Sequence, residues 1–468
     1  MTSDKKAPFP VAAAVFLFLI ACVIFMTVVL KTTPHIPLLF STVVAGVVGK
    51  CLGFSWKEMQ EGIMETIHAA LPAILIIIVI GALIGAWIIG GIIPTMIDYG
   101  LALISPSFFL VTALLLCSVV SLAVGSSLST IGTVGVALFG IGSAMGVPAP
   151  MTVGAIVSGA YFGDKMSPLS DTTNLAPSVS GADIFDHIRC MMGTTVPTYV
   201  VCVLIYGVMG FLLPGASQSG ASVSEISGAL QSAFTIHPLL LIPPVLVILM
   251  VVFRVPALPG LLAAAALGLL CGGLVQGRDF SSLLGVIMDG YTGSTGVAAA
   301  DTLLNRGGIL GMMKTIALML IALSFAGVFE STGMARALAE KVLSRVHSEK
   351  GLVIATILTA WGILLGTGQQ YVAIIMTGRL FRPEYEARDL QPCYLSRSLE
   401  DSGTVFGGIV PYSTGAGFTE STLGVSAWQY GPFTFFGWIN PLIAIAIAAW
   451  KGPKKNGERK ARPCHHQK

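Results

Sequence analysis

The sequence is short of charge. Only 10% of its 468 residues are Asp, Glu, Lys or Arg, whereas an ordinary soluble domain has about 25%. The 26 basic and 23 acidic side chains nearly cancel, which leaves a formal net charge of +3. A composition this poor in charge excludes a typical water-soluble globular domain. So small a positive excess gives no reason to expect nucleic acid as a partner.

Paired cysteines and hydrolytic motifs are also missing. The eight cysteines are scattered, most of them inside apolar stretches, and none belongs to a Cys-x-x-Cys pair. This pattern indicates buried, inert thiols and excludes a disulfide framework. The sequence has no His-Glu-x-x-His metal motif and no evident nucleophile elbow. We therefore do not expect an enzyme, and an intramembrane protease in particular lacks support.

Long apolar runs take the place of charge, and hydrophobic residues make up 54% of the chain. The first run, residues 9–30, is longer than the roughly 7–15-residue core of a signal peptide and has no small-residue cleavage site, so we predict a membrane span. Comparable runs predict an all-α polytopic membrane protein with about 10–14 transmembrane segments. They lie near 36–54, 70–93, 107–125, 128–146, 149–162 with a continuation past 174, and 193–213, and a similar series begins at 237.

The two halves of the chain match each other in order, which predicts an internal duplication. The matched residues are Ile63-Met64-Glu65 with Ile287-Met288-Asp289, Gly90 with Gly327, Asp164 with Asp401, Gly193 with Gly437, and Pro197 with Pro441. We predict a first transmembrane repeat over 1–215, an extracytoplasmic linker over 216–236, a second repeat over 237–450 and a basic tail over 451–468. Whether 107–125 and 128–146 re-enter or span the membrane, each repeat crosses it an odd number of times. The repeats are therefore predicted to be inverted.

Basic residues predict the orientation of the chain, because lysine and arginine collect in cytoplasmic loops. With the N-terminus in the cytoplasm, the connection 214–236, which contains Glu225 and no Lys or Arg, lies outside. We predict a multi-pass protein of the cell membrane with both termini in the cytoplasm. The basic residues on that side are Lys50, Lys57, Arg189, Arg254, Arg336, Lys341, Arg345, Lys350, Arg379, Arg382, Arg388 and those of the tail from Lys451.

One polar segment interrupts an apolar stretch that would otherwise read as a single membrane helix. It is Gly-Asp-Lys-Met-Ser-Pro-Leu-Ser-Asp-Thr-Thr-Asn over 163–174. Charged groups and irregular backbone survive at membrane depth where they line a cavity or are buried in protein. Pro168 cannot donate to the carbonyl of Asp164, so we expect free oxygen lone pairs beside the acidic side chains. Such oxygens suit a small hard cation or a proton.

Asp164 is the foremost candidate in this segment. Its carboxylate could hold sodium and exchange it for a proton, or it could form a fixed ion pair with Lys165 or another partner. Asp171 could be a second ligand or the N-cap of the next helix. Lys165 could replace sodium in an empty site or extend to the membrane interface. The neutral oxygens could help to bind a cation or return to their own backbone; they belong to Ser167, Ser170, Thr172, Thr173 and Asn174.

The second half contains a matching acidic run, Glu-Asp-Ser-Gly-Thr over 400–404, with Arg397 close by. Because Asp401 aligns with Asp164, we predict these two aspartates as the ligands of transported sodium. One of Glu400 and Asp401 could pair with Arg397 while the other titrates, and the sequence leaves the assignment open. Ser402 and Thr404 add two hydroxyl oxygens to this run.

Two polar turns complete the candidate site. If the helices around them re-enter the membrane, the two tips approach from opposite faces, and each ends near the polar break of its own half. Helix ends that meet in a shared cavity supply dipoles and free backbone groups to a bound ion. The first tip contains Ser126, Ser127, Ser129 and Thr130, and the second contains Thr367, Gln369 and Gln370.

The segment 163–176, which extends the polar break by Leu-Ala, closely resembles the signature of the NhaC-type sodium/proton antiporter family, part of the wider ion transporter superfamily. The resemblance covers nearly the whole chain, including Gly-Thr-Gly-Gln-Gln over 366–370 and the 400–404 run. It implies a secondary antiporter that exports sodium in exchange for protons by alternating access. No cofactor is expected beside the transported sodium ion and proton.

The resemblance leaves the cargo open, because the same family includes exchangers of sodium and lactate for protons and malate. A small organic acid would need a cationic or helix-N-terminal anchor, and Lys165 is the only obvious intramembrane candidate. That scarcity favours a bare cation. The expected partners are thus the lipid bilayer, sodium and protons, while an organic acid and a homodimer stay open.

Overall fold

The computed structural model describes residues 7–212, 220–253 and 255–456. Across these ranges the chain is α-helical without a β-strand, apart from an isolated antiparallel bridge between Leu390 and Lys455. The predicted all-α class is confirmed. The first half contains α1 (Phe9–Ile24), α2 (His35–Cys51), α3 (Trp56–Ile89), α4 (Ile92–Leu103), α5 (Phe109–Val124), α6 (Ser127–Thr130), α7 (Val136–Ala144), α8 (Ala149–Met166), α9 (Asp171–Ser180) and α10 (Ile184–Leu212).

The second half repeats this pattern after a connecting helix, α11 (Gly220–Ala233). Its helices are α12 (Ile242–Val252), α13 (Ala257–Leu274), α14 (Phe280–Asp289), α15 (Ala298–Leu304), α16 (Ile309–Ser331), α17 (Met334–Leu343), α18 (Glu349–Thr367), α19 (Gln370–Ala387), α20 (Pro392–Leu399), α21 (Thr414–Leu423), α22 (Ala427–Tyr430) and α23 (Phe435–Lys451). Short π-helical turns lie at Phe25–Val29, Ile131–Gly135 and Glu400–Thr404, and 3-10 turns lie at Pro106–Phe108, Pro238–Leu241, Val405–Gly408 and Gly431–Phe433.

The helices are those of a polytopic membrane protein, as predicted. Among the described residues, seven helices are long and apolar enough to cross a membrane, and two bent helix pairs raise the number to nine. Four shorter apolar helices accompany them. Their outer faces expose large apolar side chains, for example Leu204, Phe211 and Leu212 on α10. Such faces are suited to lipid tails and would be unfavourable in water.

Two of the turns recur in both halves at the same spacing. The duplication itself stays a prediction, and the names first repeat and second repeat denote the two halves of the chain. Gly125 and Gly368 end the first hairpin helix of each half with left-handed backbone, at φ +69° and +67°, a conformation that favours glycine. They lie 368 − 125 = 243 positions apart. Ser170 and Ser413, which precede α9 and α21, show the same spacing of 413 − 170 = 243.

One match taken from the sequence is wrong. Gly90 ends α3, whereas Gly327 lies inside α16. The structurally equivalent glycines are Gly91 and Gly333, both left-handed N-caps of the following helix. The reason is that α3 is continuous, while its counterpart is split into α14 and α16 by an insertion that contains α15. Because that insertion shifts the register between the two halves, the sequence comparison paired Gly90 with the wrong glycine.

The predicted linker over 216–236 contains α11, and the Ser227 hydroxyl of this helix donates a hydrogen bond to Asp98 on α4. The connection is therefore packed against the first repeat. Residues 213–219 lie outside the described ranges, as do Arg254 and residues 457–468, which form most of the predicted basic tail.

Close backbone packing positions α8, the helix that carries Asp164 and Lys165. A Cβ atom at Gly163 would lie 2.4 Å from the carbonyl oxygen of Ser118 on α5, and one at Gly159 would lie 2.3 Å from the carbonyl oxygen of Leu114. Both distances are shorter than van der Waals contact allows. Small residues thus let α5 and α8 pack backbone to backbone, as is common between membrane helices.

Candidate functional site

The polar segment of the first repeat is a short break between two helices. α8 continues to Met166 and α9 begins at Asp171, so only residues 167–170 are irregular. Asp164 and Lys165 therefore lie in the last turn of α8. The expectation of a free Asp164 carbonyl was wrong, because the backbone N–H of Ser167 donates to it at 3.1 Å and the Thr173 hydroxyl at 3.3 Å. The break satisfies its own backbone and leaves the side chains for other roles.

The Asp164 carboxylate meets the first hairpin tip. It is 8% exposed, and its Oδ2 atom accepts a hydrogen bond of 3.1 Å from the backbone N–H of Ser127. The hydroxyl groups of Ser127 and Ser170 also interact with it. The tip and the break adjoin directly, since a Cβ at Gly125 would lie 2.9 Å from the backbone nitrogen of Ser170. Asp164 is thus surrounded by hydrogen-bond donors, and no described basic side chain forms an ion pair with it.

Lys165 turns the other way from Asp164, toward the second repeat. Its side chain is completely buried and forms an ion pair with Asp401. The ammonium also donates to the Asn440 side-chain oxygen at 2.5 Å. The interpretation that Lys165 extends to the membrane interface is therefore wrong. A buried ammonium needs an opposite charge and hydrogen-bond acceptors, and α20–α23 of the second repeat supply them.

Asp401 is held from several sides. Its Oδ1 atom accepts hydrogen bonds from Lys165, from the Thr194 hydroxyl at 3.0 Å and from the Asn440 amide at 3.0 Å. Its Oδ2 atom lies 3.6 Å from Nε of Arg397. Two cationic groups therefore neutralise this single carboxylate. The negative charge of Asp401 is thus compensated, although its Oδ2 atom accepts no hydrogen bond within the described chain.

Glu400, its neighbour in the chain, forms no ion pair with a described basic side chain. The side chain is completely buried, and neither carboxylate oxygen accepts a hydrogen bond from the residues that the structure describes. The hydroxyl groups of Thr172 and Thr404 lie nearby without regular hydrogen-bond geometry, and Asp164 and Lys165 act on it electrostatically. Glu400 opens the π-helical turn Glu400–Thr404. Turns of this kind occur frequently at functional sites.

Sequence reasoning missed Tyr371. It follows Gln370 at the second hairpin tip, and it interacts electrostatically with Asp171, Asp164 and Glu400. The tyrosine therefore lies among the acids of both repeats. Its position next to the tip glutamines was the one signal available, and an isolated tyrosine in an apolar helix is not a distinctive pattern.

Several predicted residues use their polar groups locally. Asp171 is exposed and is the first residue of α9, while Ser170 takes the N-cap position that was considered for Asp171. The remaining side-chain contacts run mostly to nearby groups: Ser167 with Leu169 N, Thr173 with Lys165 O, Asn174 with Pro168 O and Ser170 O, Thr172 with Ser170, Ser402 with Ser398 O, Ser126 with Ser129 N, Thr130 with Ser126 O, and Thr367 with Ile363 O.

The second tip contacts both its own half and the first half of the chain. Gln369 accepts a hydrogen bond of 3.1 Å from the Thr414 hydroxyl at the start of α21. Gln370 donates to the Tyr161 hydroxyl of α8 at 3.2 Å. The Ser129 hydroxyl and the Gln369 amide nitrogen are buried without a partner in the described chain. Both tips thus end beside the breaks, and they leave polar atoms there for a ligand.

The acids do not form a ready-made multidentate metal site. No group of three His, Cys, Asp or Glu side chains within the described ranges converges on one point. A sodium ion would therefore take one or two carboxylates together with hydroxyl and carbonyl oxygens. Sodium as transported cargo fits such a site better than a permanently bound divalent ion does.

A polar crevice of about 820 Å³ leads from the protein surface toward these groups. It is bordered by the turn between α9 and α10, by the start of α20 and by residues after α23. Arg397 lines it, and this arginine approaches Asp401 to 3.6 Å. The Arg397 side chain therefore lies between the buried Lys165–Asp401 ion pair and the crevice.

Comparison with known proteins agrees with this architecture. The model of the Na+/H+ antiporter family matches residues 159–451. The chain is 39% identical over 448 residues to the Na(+)/H(+) antiporter NhaC of Bacillus subtilis, an alignment that covers 96% of this chain and 99% of that protein.

Two further relatives carry other names. The chain is 37% identical over 429 residues to the malate-2H(+)/Na(+)-lactate antiporter of Bacillus subtilis, which covers 92% of this chain and 91% of that protein. It is also 37% identical over 440 residues to the arginine/ornithine antiporter ArcD of Halobacterium salinarum, with 92% and 90% covered. With its polar helix breaks, paired hairpin tips and these near-complete alignments, the chain belongs to the Na+/H+ antiporter family.

Proposed function

We propose that the protein is a sodium/proton antiporter in which Asp164 and Glu400 bind the two ions in competition. The observation that carries this proposal is the complete burial of Glu400 without a hydrogen bond from the described chain. An ionised carboxylate in that position is strongly destabilised unless a cation or a proton joins it. Glu400 therefore favours occupancy by one of the two ions, which is what exchange requires.

Glu400 replaces Asp401 in the assignment drawn from the sequence. Asp401 already has Lys165 and Arg397 as cationic neighbours, so a sodium ion there would have to displace a lysine. Asp164 keeps its role because its partners are a backbone N–H and hydroxyl groups. Hydroxyl groups can turn their oxygen toward a cation when one binds.

The Lys165–Asp401 pair supports the site without carrying cargo. The pair connects α8 of the first repeat to the π-helical turn of the second. One acid of each repeat, Asp164 or Glu400, adjoins this pair in sequence. The pair and Arg397 add two positive charges and one negative charge next to Asp164 and Glu400. That local field reduces the repulsion between the two acids when both are ionised.

Transport follows an alternating-access cycle that exports sodium in exchange for protons. The crevice that reaches Arg397 is lined by Arg189 and Lys454, and the basic loops of the chain collect on the cytoplasmic side in our orientation. The crevice then opens to the cytoplasm, with both termini on that side. Sodium enters from there, displaces a proton at the acids and leaves on the opposite face.

A second candidate cargo is a small organic anion, and one observation favours it. Arg397 lines the crevice, and its Nε atom lies 3.6 Å from Asp401 without a regular hydrogen bond. A guanidinium at the wall of a crevice is a suitable anchor for a carboxylate. Lys165, which the sequence suggested for this role, is committed to Asp401 and Asn440. Transport of an organic anion would then accompany cation exchange at the Asp164 and Glu400 side chains.

The decisive experiment measures a pH dye in sealed everted vesicles on addition of sodium. The parent protein should give a sodium-dependent proton signal, and Asp164→Asn and Glu400→Gln should each abolish it. Labelled malate, lactate and arginine, added to proteoliposomes, test the organic cargo. If sodium elicits a signal only when one of these compounds is present, the bare-cation proposal is wrong.

A further inference from the structure

Cys190 and Cys393 face each other across the two repeats at the polar crevice. Cys190 lies on α10 and Cys393 at the start of α20, and both line the crevice. The two thiol groups are close enough to influence each other electrostatically, and the Cys393 thiol donates to the Gln391 side-chain oxygen at 3.8 Å. Cys190 is half-buried, and Cys393 is 9% exposed. Their separation of 393 − 190 = 203 positions explains why the sequence indicated only scattered thiols.

The surroundings of this pair differ from those of an inert buried thiol. The Arg397 guanidinium lies one turn along α20 and interacts with the Cys190 sulfur. Thiol–disulfide exchange proceeds through a thiolate, and a neighbouring guanidinium provides positive charge for it. By contrast, Cys117 and Cys202 are completely buried at 0% exposure.

We propose that Cys190 and Cys393 form a reversible dithiol–disulfide site whose oxidation by a low-molecular-weight disulfide slows transport. The expected effect on transport rests on the proposed function, whereas the thiol chemistry of the pair is independent of it. It adds a modification site to the crevice through which the proposed transport cycle admits sodium.

The reaction balances as two successive exchanges. The Cys190 thiolate attacks one sulfur of the small disulfide, forms a mixed disulfide and releases one small thiol. The Cys393 thiol then loses its proton and attacks the Cys190 sulfur, which releases the second small thiol. The protein loses two electrons and two protons in all, and the small disulfide is reduced to two thiols. An excess of a small thiol reverses both steps.

The consequence for transport follows from the position of the pair. The new bond would join α10 of the first repeat to α20 of the second, one turn from Arg397. The same two helices already meet through the hydrogen bond of 2.8 Å between His187 and Ser396. A disulfide bond at this position would restrict relative movement of the repeats and narrow the route to Asp401. Alternating access depends on such movement.

The test uses the full-length protein in proteoliposomes with glutathione disulfide as the probe. Peptide mapping by mass spectrometry should find a Cys190–Cys393 cross-link, and sodium-driven proton movement should lose most of its rate and recover with dithiothreitol. Cys190→Ser and Cys393→Ser should form no cross-link and keep their rate. Cys51→Ser, which removes an exposed thiol elsewhere, should behave like the parent.

The outcomes separate this inference from the proposed function. If the parent shows no sodium-driven proton movement before oxidation, the proposed function fails, and the mapping still decides whether the pair forms. Glutathione adducts on separate cysteines without a cross-link would overturn the dithiol site. A cross-link with an unchanged transport rate would overturn its effect on transport.

Discussion

Lys165 and Asp401 form a fully buried ion pair across 236 positions of the chain. Each is preceded in sequence by an acid, Asp164 in the first repeat and Glu400 in the second. Successive side chains on a helix point about 100° apart. Since Lys165 and Asp401 point toward each other, Asp164 and Glu400 face other residues. Each repeat thus contributes one residue to the ion pair and, in our proposal, one acid to ion exchange.

Glu400→Gln should abolish sodium-driven proton movement while leaving the fold intact. The amide keeps the shape of the side chain but cannot exchange a proton or neutralise a cation. Because a buried and unsatisfied carboxylate is destabilising, we expect the melting temperature in detergent to stay equal or rise. Glu384→Gln, at a surface acid paired with Arg388, is the matched control and should transport normally. Retained transport in Glu400→Gln would contradict the assignment.

Lys165→Met should destabilise the protein by about 3–5 kcal/mol, since it leaves Asp401 buried with one cationic neighbour fewer. The double variant Lys165→Met/Asp401→Asn should regain a large part of that loss because it removes the unpaired charge as well. Chemical denaturation in detergent measures both. A double variant as unstable as the single one would mean that the pair is not the source of the effect.

Lower pH should weaken sodium binding. A proton on Asp164 or Glu400 removes the negative charge that holds sodium, so protonation and sodium binding exclude each other. Where one proton competes with one sodium ion, the half-maximal sodium concentration should rise about tenfold for each pH unit of acidification below the pKa of the competing acid. Initial rates at a series of sodium concentrations and pH values test this. A sodium affinity independent of pH would argue for separate ion sites.

Gly163→Ala should impair transport, although it changes no ionisable group. The added Cβ would meet the Ser118 carbonyl oxygen at 2.4 Å and push α8 away from α5, which would displace the adjacent Asp164. Gly362→Ala in α18 is the matched control, because nothing lies within 4 Å of its Cβ. That change should leave transport intact and stabilise its helix by roughly 0.5–1 kcal/mol. Equal behaviour of the two variants would remove the packing argument.

Local properties of the chain were predictable from the sequence. Apolar runs identify membrane helices because hydrocarbon imposes the same composition on every span. The polar break at 163–174 and the glycine-containing tips were predictable because they contain residues that membrane helices exclude unless these residues have a structural or functional role. Recurrent turn residues, such as those at Gly125 and Gly368, also indicate the duplication. Apart from the duplication, which compares distant residues, each of these signals lies within a few neighbouring residues.

The partners of the charged groups were decided only by the tertiary structure. Sequence alignment treated Asp164 and Asp401 as equivalents, and nothing local distinguishes Asp401 from Glu400. The three-dimensional packing does, because α8 and the π-helical turn meet so that Lys165 reaches Asp401 and leaves Glu400 without a donor among the described residues. Tyr371 and the Cys190–Cys393 pair became visible for the same reason. Electrostatic interaction depends on distance in space, and helices more than 200 positions apart come into contact only in the folded bundle.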